Sequence, residues 1–199
     1  MDIQADDIVM LENSPVEMWL EDELIHRTVL WYGVKFEGSA TTGTRTGNMH
    51  MHKTLPVQSQ LKGCTVAIDG TVKYLNPNDW TKYEDGTDVD TALNIMVEIP
   101  DHYIYFIADA DNNVEIRMST YGLPGYHLFK KCYVSAYEGY KDGAILRSVK
   151  DQLPTVNTTK AQFRTAARAN GSEHWNQYTY KIHKALTWCF VVEYANRNS

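Results

Sequence analysis

The most constraining feature of this chain is its C-terminal run. Residues 158–171 (Thr-Thr-Lys-Ala-Gln-Phe-Arg-Thr-Ala-Ala-Arg-Ala-Asn-Gly) read as a capped helix with a glycine stop. Thr158 or Thr159 supplies the N-cap, and Gly171 suits the left-handed stop position. Phe163, Ala166, Ala167 and Asn170 recur at helical spacing, giving a narrow face of mostly small residues that lets the helix lie close to a sheet. A second helix follows Thr179, with Ile182, Ala185, Leu186, Cys189, Phe190 and Glu193 on one face and Trp188 and Val192 widening it. That face needs cover, from the chain's own sheet or from a neighbouring subunit.

Upstream, the pattern is of short strands. Thr28–Glu37 is rich in β-formers, Gly38–Gly47 reads as a loop, and Asp69-Gly70 between two alternating runs predicts a hairpin with a type I′ turn. Asn76–Trp80 reads as a turn and Tyr83–Asp90 as an acidic loop. Asn94–Pro100, His102–Ala108, Val114–Met118 and a long His127–Tyr137 read as strands, and Asp142–Leu153 as a loop. Strands first and helices last predict an α+β fold: an antiparallel β-rich N-terminal part followed by a two-helix segment. Residues 1–27, acidic at Asp2, Asp6, Asp7, Glu12, Glu17, Glu21, Asp22 and Glu23, read as an N-terminal arm, with 28–199 as the domain.

Composition narrows the function class. The net charge of -6, without a cluster of Lys or Arg, argues against nucleic acid as a partner. The start lacks the basic-then-apolar order of a secretory signal, and the longest apolar run, near Ala185–Val192, is too short for a bilayer. The expectation is a soluble protein without membrane insertion. Cys64, Cys132 and Cys189 are widely spaced and form no C-x-x-C pair, so a structural zinc site is not expected. His50-x-His52 is the strongest metal-like pattern, two imidazoles on one face if the segment is a strand, but no acid or thiol nearby completes it. No metal, cofactor or catalytic residue is assigned. No nucleophile elbow or phosphate cradle occurs, and Glu115 with Glu138 is too arbitrary a pair to assign as acid and base. The Asn157-Thr-Thr and Asn170-Gly-Ser sequons read as helix-cap and helix-stop chemistry.

The remaining candidates are aromatic. Aromatic residues make up 12% of the chain, and 13 of its residues are Tyr, a side chain suited to partly wet contact surfaces. Trp80, Tyr83, Tyr121, Tyr126, Trp175 and Tyr178 fall in or beside expected turns. There they could stack on sugar faces or anchor a protein partner.

Six segments in order carry a resemblance: 47–59 (Gly-Asn-Met-His-Met-His-Lys-Thr-Leu-Pro-Val-Gln-Ser), 75–80 (Leu-Asn-Pro-Asn-Asp-Trp), 96–103 (Met-Val-Glu-Ile-Pro-Asp-His-Tyr), 123–127 (Leu-Pro-Gly-Tyr-His), 133–139 (Tyr-Val-Ser-Ala-Tyr-Glu-Gly) and the terminal helix pair. Over roughly 28–199 the chain resembles virion proteins of phages and prophages of gut bacteria. These carry a C-type-lectin-like domain, similar to the major tropism determinant and distantly to formylglycine-generating, sulfatase-modifying domains. The resemblance implies a partial C-type-lectin-like fold, a tail or fibre location in the virion, and host-surface attachment to a glycan or protein. It also implies assembly with other virion proteins, with a homotrimer favoured, and no catalysis. In those proteins a ligand-bearing half follows the segment matching residues 193–199, so the expectation is either a member shortened at its C-terminal half or the product of a truncated gene, with none of the family's binding residues to carry over. The alternative expectation is a purely structural head-fibre, collar or tail-base protein. A sulfatase-modifying-like or glycosidase enzyme is the remote one.

Overall fold

The computed structural model describes residues 17–20, 23–27 and 29–198, the first two stretches as backbone only. Of the expected N-terminal arm, residues 1–16, 21 and 22 lie outside the described residues. Glu17–Leu20 (β1) and Glu23–Arg27 (β2) pair as an antiparallel hairpin, with a shift of register between Met18 and Trp19.

The described residues divide into two units, each built on a five-stranded, wholly antiparallel sheet. The chain is therefore α+β. Among the described residues, no helix is long and apolar enough to cross a membrane.

The first unit takes the described residues of Met1–Ser59, Asp101–Lys130 and Thr187–Ser199. Its strands are Tyr32–Phe36 (β3), Thr44–Gly47 (β4), His102–Ala108 (β9), Val114–Ser119 (β10) and His127–Phe129 (β11), in the order β11-β9-β10-β3-β4. Alternation sends Tyr32, Val34 and Phe36 to one face, where they meet Ile104, Ile116, Met118 and the helical residues Cys189, Val191 and Val192. Phe36 and Met118, at 1% and 0% exposure, each contribute roughly 1.5–3 kcal/mol by burial. Inside this core the Tyr32 hydroxyl donates to Gln58 Oε1 (2.6 Å), and Gln58 Nε2 donates to the Cys189 carbonyl (3.0 Å). One glutamine thus ties the strand to the helix.

The second unit takes Gln60–Pro100 and Lys131–Leu186. Lys62–Val66 (β5), Val72–Asn76 (β6), Asp79–Tyr83 (β7), Asn94–Ile99 (β8) and Cys132–Ser135 (β12) form its sheet in the order β12-β8-β5-β6-β7. Both faces carry apolar clusters. Cys64, Val66 and Met96 lie on one, with Tyr74, Tyr133 and Trp175 against them. Leu75, Tyr83 and Ile95 lie on the other. A small hairpin, Tyr140–Asp142 (β13) with Ile145–Arg147 (β14), precedes helix α2, Lys160–Arg168. Helix α3, Tyr180–Tyr194, begins in this unit, and from Thr187 onward its residues group with the first.

The expected helix chemistry is present. Thr159 caps α2 in a reciprocal box with Gln162, and Ala166 and Ala167 are its buried residues. Gly171 takes φ +123°, and a Cβ there would lie 2.4 Å from Ile68 Cγ2. Thr179 accepts from the Ile182 and His183 amides at the start of α3.

Several expectations need correction. Gly38–Gly47 is not all loop: β4 is an edge strand paired to β3, written in Thr and Gly because its side chains are largely exposed. The long His127–Tyr137 strand is two, because β11 pairs with β9 in one unit and β12 with β8 in the other. Asp142–Leu153 contains β14, turned back by Gly143 at φ +58°. The Asp69-Gly70 hairpin is real, but only Gly70 has positive φ. The bonds Gly70 N–H to Ala67 O and Ala67 N–H to Thr71 O make it a type I turn with a glycine bulge, not type I′. Residues 79–83, expected in turn and loop, are strand β7.

Candidate functional site

An open groove of about 1540 Å³ is lined entirely from the second unit. Lys131–Ser135, Phe163 of α2 and residues of the loop from Ser172 to Thr179 are among its lining. The loop is shaped locally. Gly171 turns the chain out of α2, the Ser172 hydroxyl accepts from the His174 amide (3.3 Å), and the Ser172 carbonyl accepts from the Trp175 amide (3.3 Å). Trp175 is thereby laid on the Cys64–Val66–Met96 cluster beside Tyr133, while Tyr178 stays 55% exposed.

A buried polar network holds this wall. Asn170 is 7% exposed, accepts from Asn94 Nδ2 (2.9 Å), and donates to the Leu146 (2.8 Å) and Ala167 (3.0 Å) carbonyls. Asn94 Oδ1 in turn accepts from the Ser148 amide (2.9 Å). Asn170 therefore fixes the end of α2, and with it the start of the groove loop. Asn170 does stop its helix, and the same amide also serves as this hub.

The electrostatics around the floor centre on Glu98, which is 8% exposed. It accepts from the Tyr74 hydroxyl (2.9 Å), and Lys131 Nζ lies 3.8 Å away. Burial, then the neighbouring Glu98, pushes the Cys64 thiol up to about 12, and the same two causes push the Tyr133 hydroxyl well above its ordinary range. These groups hold their protons at neutral pH. They present hydrogen-bond donors and apolar surface to the groove side of the sheet, not nucleophiles.

The six aromatic candidates fall in separate places. Trp175 and Tyr178 come together in the groove. Trp80 lies over Gly63, where a Cβ would stand 2.8 Å from its ring. Tyr83 is 4% exposed, with its hydroxyl 3.2 Å from Thr65 Oγ1 and accepting from the Asp90 amide, so it belongs to its own core. Tyr121, exposed, and Tyr126, stacked on Tyr105 at 5.3 Å, are in the first unit. Sequence reasoning missed Tyr133, Phe163 and His174 as groove residues. The only available signal was that Tyr133 shares a short strand and Phe163 a helix face, neither of which reveals a groove.

His50 and His52 do not sit on a strand. Met51–Thr54 is a one-turn helix (α1), His52 Nε2 is 2.9 Å from the Thr46 carbonyl, and its ring meets Tyr32 edge-on. Among the described residues, no group of three or more His, Cys, Asp or Glu is placed to hold a metal ion.

Comparison of the chain with protein-family models, with curated proteins and with solved structures returns no match.

Proposed function

We propose that this chain is a phage virion protein of the tail or fibre type that acts in host-surface attachment by non-covalent binding, with the groove of the second unit as its contact surface. The observation that carries this reading is the groove itself: about 1540 Å³, open, and bearing Trp175 and Tyr178 beside the tyrosine of β12. Rings of this kind offer large rigid contact area with a polar tip, which suits a receptor surface. Two of the segments that resemble phage virion proteins, 133–139 and the terminal helix pair, contribute lining residues to this groove. An α+β architecture with antiparallel sheets is compatible with a partial C-type-lectin-like domain, and assembly as a homotrimer with other virion proteins completes the reading.

Binding of the purified protein to gut bacterial cells and to arrayed envelope glycans tests it. Saturable binding to host cells is expected, and no binding to any cell or glycan would overturn attachment. A second reading, assembly without receptor contact, draws on the exposed apolar side chains Ile68 (71%), Leu153 (86%) and Val156 (71%) in the same unit. Immunogold labelling that finds the protein only inside the assembled particle would favour it.

A further inference from the structure

The two five-stranded sheets have four edges, and the described residues treat them differently. The β4 edge is met by the C-terminal segment: Gly43 N–H donates to Ala195 O (2.8 Å), Arg197 N–H to Thr41 O (2.8 Å), and Thr42 bridges Asn196. The β7 edge is met by the loop that follows it, through the Val89 amide on the Thr81 carbonyl (3.0 Å) and the Lys82–Asp88 bridge. The β11 edge is only three residues long. At the β12 edge, nothing among the described residues pairs with the outer side of Cys132–Ser135.

The register shows which groups are left. Ala136 N–H donates to Ile95 O (3.1 Å), and β12 continues that pairing with Val134 opposite Val97 and Cys132 opposite Ile99. In an antiparallel pair the alternate residues turn their N–H and C=O the other way. Those residues are Tyr133 and Ser135, so two amides and two carbonyls face outward, and both residues line the groove. Cys132–Ser135 contains no charge and no proline, the usual means of blunting an edge.

We propose that the groove takes an extended segment of another protein, which adds to β12 as a sixth strand. Alternating donors and acceptors at the strand repeat match a polypeptide main chain, not a sugar. Charge sets the direction of fit: Lys131 lies at one end of the uncharged stretch and Glu138 at the other, and both line the groove. The complementary segment is apolar where it passes Tyr133 and Trp175, acidic at the Lys131 end and basic at the Glu138 end. A second copy of this chain, paired edge to edge through its own β12, is the alternative occupant that the test separates. The proposal rests on the groove being the contact surface for attachment and names the class of partner.

The test selects octapeptides from a random display library on the intact protein, then measures their affinity for wild type and for Ser135→Pro. Proline is tolerated on an edge strand whose N–H faces outward, so this change removes one donor and leaves the β8 pairing in place. The β8-side amides of Val134 and Cys132, slow to exchange with deuterium in both proteins, confirm the fold. Selected peptides should share an uncharged core, protect the Tyr133 and Ser135 amides from exchange, and bind Ser135→Pro about five- to tenfold more weakly, the worth of one hydrogen bond. N-methylation at alternate peptide positions should abolish binding in one phase and spare it in the other. Equal affinity for the variant, no selectable peptide, or self-association through β12 in solution would overturn the proposal. Cell binding that survives Ser135→Pro would leave attachment standing and the added strand refuted, whereas loss of all binding by the wild type refutes both.

Discussion

Replacing Asn170 by alanine should destabilise the second unit by about 2–6 kcal/mol. The Asn170 amide makes three contacts: it accepts from Asn94 Nδ2 and donates to the Leu146 and Ala167 carbonyls. Truncation leaves Ala167 O still bonded by the Asn170 main-chain N–H (3.1 Å), so that acceptor loses little. It strands the Asn94 Nδ2 donor and the Leu146 carbonyl, in a site where Asn94 and Asn170 are 6% and 7% exposed. Each stranded buried group costs roughly 1–3 kcal/mol, which gives the stated range. Urea unfolding followed by tryptophan fluorescence reads the change, since Trp80 and Trp175 both lie in this unit. The Asn94→Ala change should also destabilise, because it strands the Ser148 amide. The double variant should lose less than the sum of the two, by at least about 1 kcal/mol, because the pair shares one contact. A loss under about 0.5 kcal/mol for Asn170→Ala, or strict additivity, would refute the network as the anchor of the groove wall.

Two further outcomes follow from titrating groups. Burial raises all three thiols, Cys64 and Cys189 up to about 12, and Cys132 is the one that is only half-buried. Iodoacetamide on the native protein at mildly alkaline pH should therefore modify Cys132 first, with the other two reacting only in denaturant, and mass spectrometry showing equal native rates would contradict this. The Asp85 carboxyl is held down to about 2, first by the Thr87 hydroxyl, then by the Thr87 amide and Lys73. Its folded value lies below the ordinary 3.8, so the contact stabilises the fold above that pH and is lost as pH falls through about 2. An NMR titration of Asp85 should give a midpoint near 2, and Thr87→Val should move it upward. A midpoint that stays put in the variant would remove Thr87 as the cause.

Local chemistry was the legible part of this sequence. Thr159, Gly171 and Asp69-Gly70 act through neighbours within a few residues, so a helix cap, a stop and a hairpin could be placed from the string alone. The Asp142-Gly143 turn carried the same signature, but its flanking runs are only three residues each and passed as loop. The break between Phe129 and Cys132 was not legible, because Lys130-Lys131 contains no turn residue and the division is made by which sheet each strand joins. The same non-local pairing hides which strand lies at an edge. That is why Tyr133 read as strand interior rather than groove wall, and why Tyr83, set beside Thr65 from a distant strand, read as an exposed loop ring. The contribution of Asn170 was half legible: its place at the helix stop could be read, but its partner Asn94 lies 76 residues away.

We propose that the groove of the second unit is the surface by which this protein attaches to its host. Fluorescently labelled protein titrated onto gut bacterial cells, wild type against Tyr178→Ala, tests it most directly, because Tyr178 lines the groove yet is 55% exposed and its loss should spare the fold. Saturable wild-type binding that the variant weakens at least about fivefold is expected. Saturable binding with the same affinity in both proteins would contradict it.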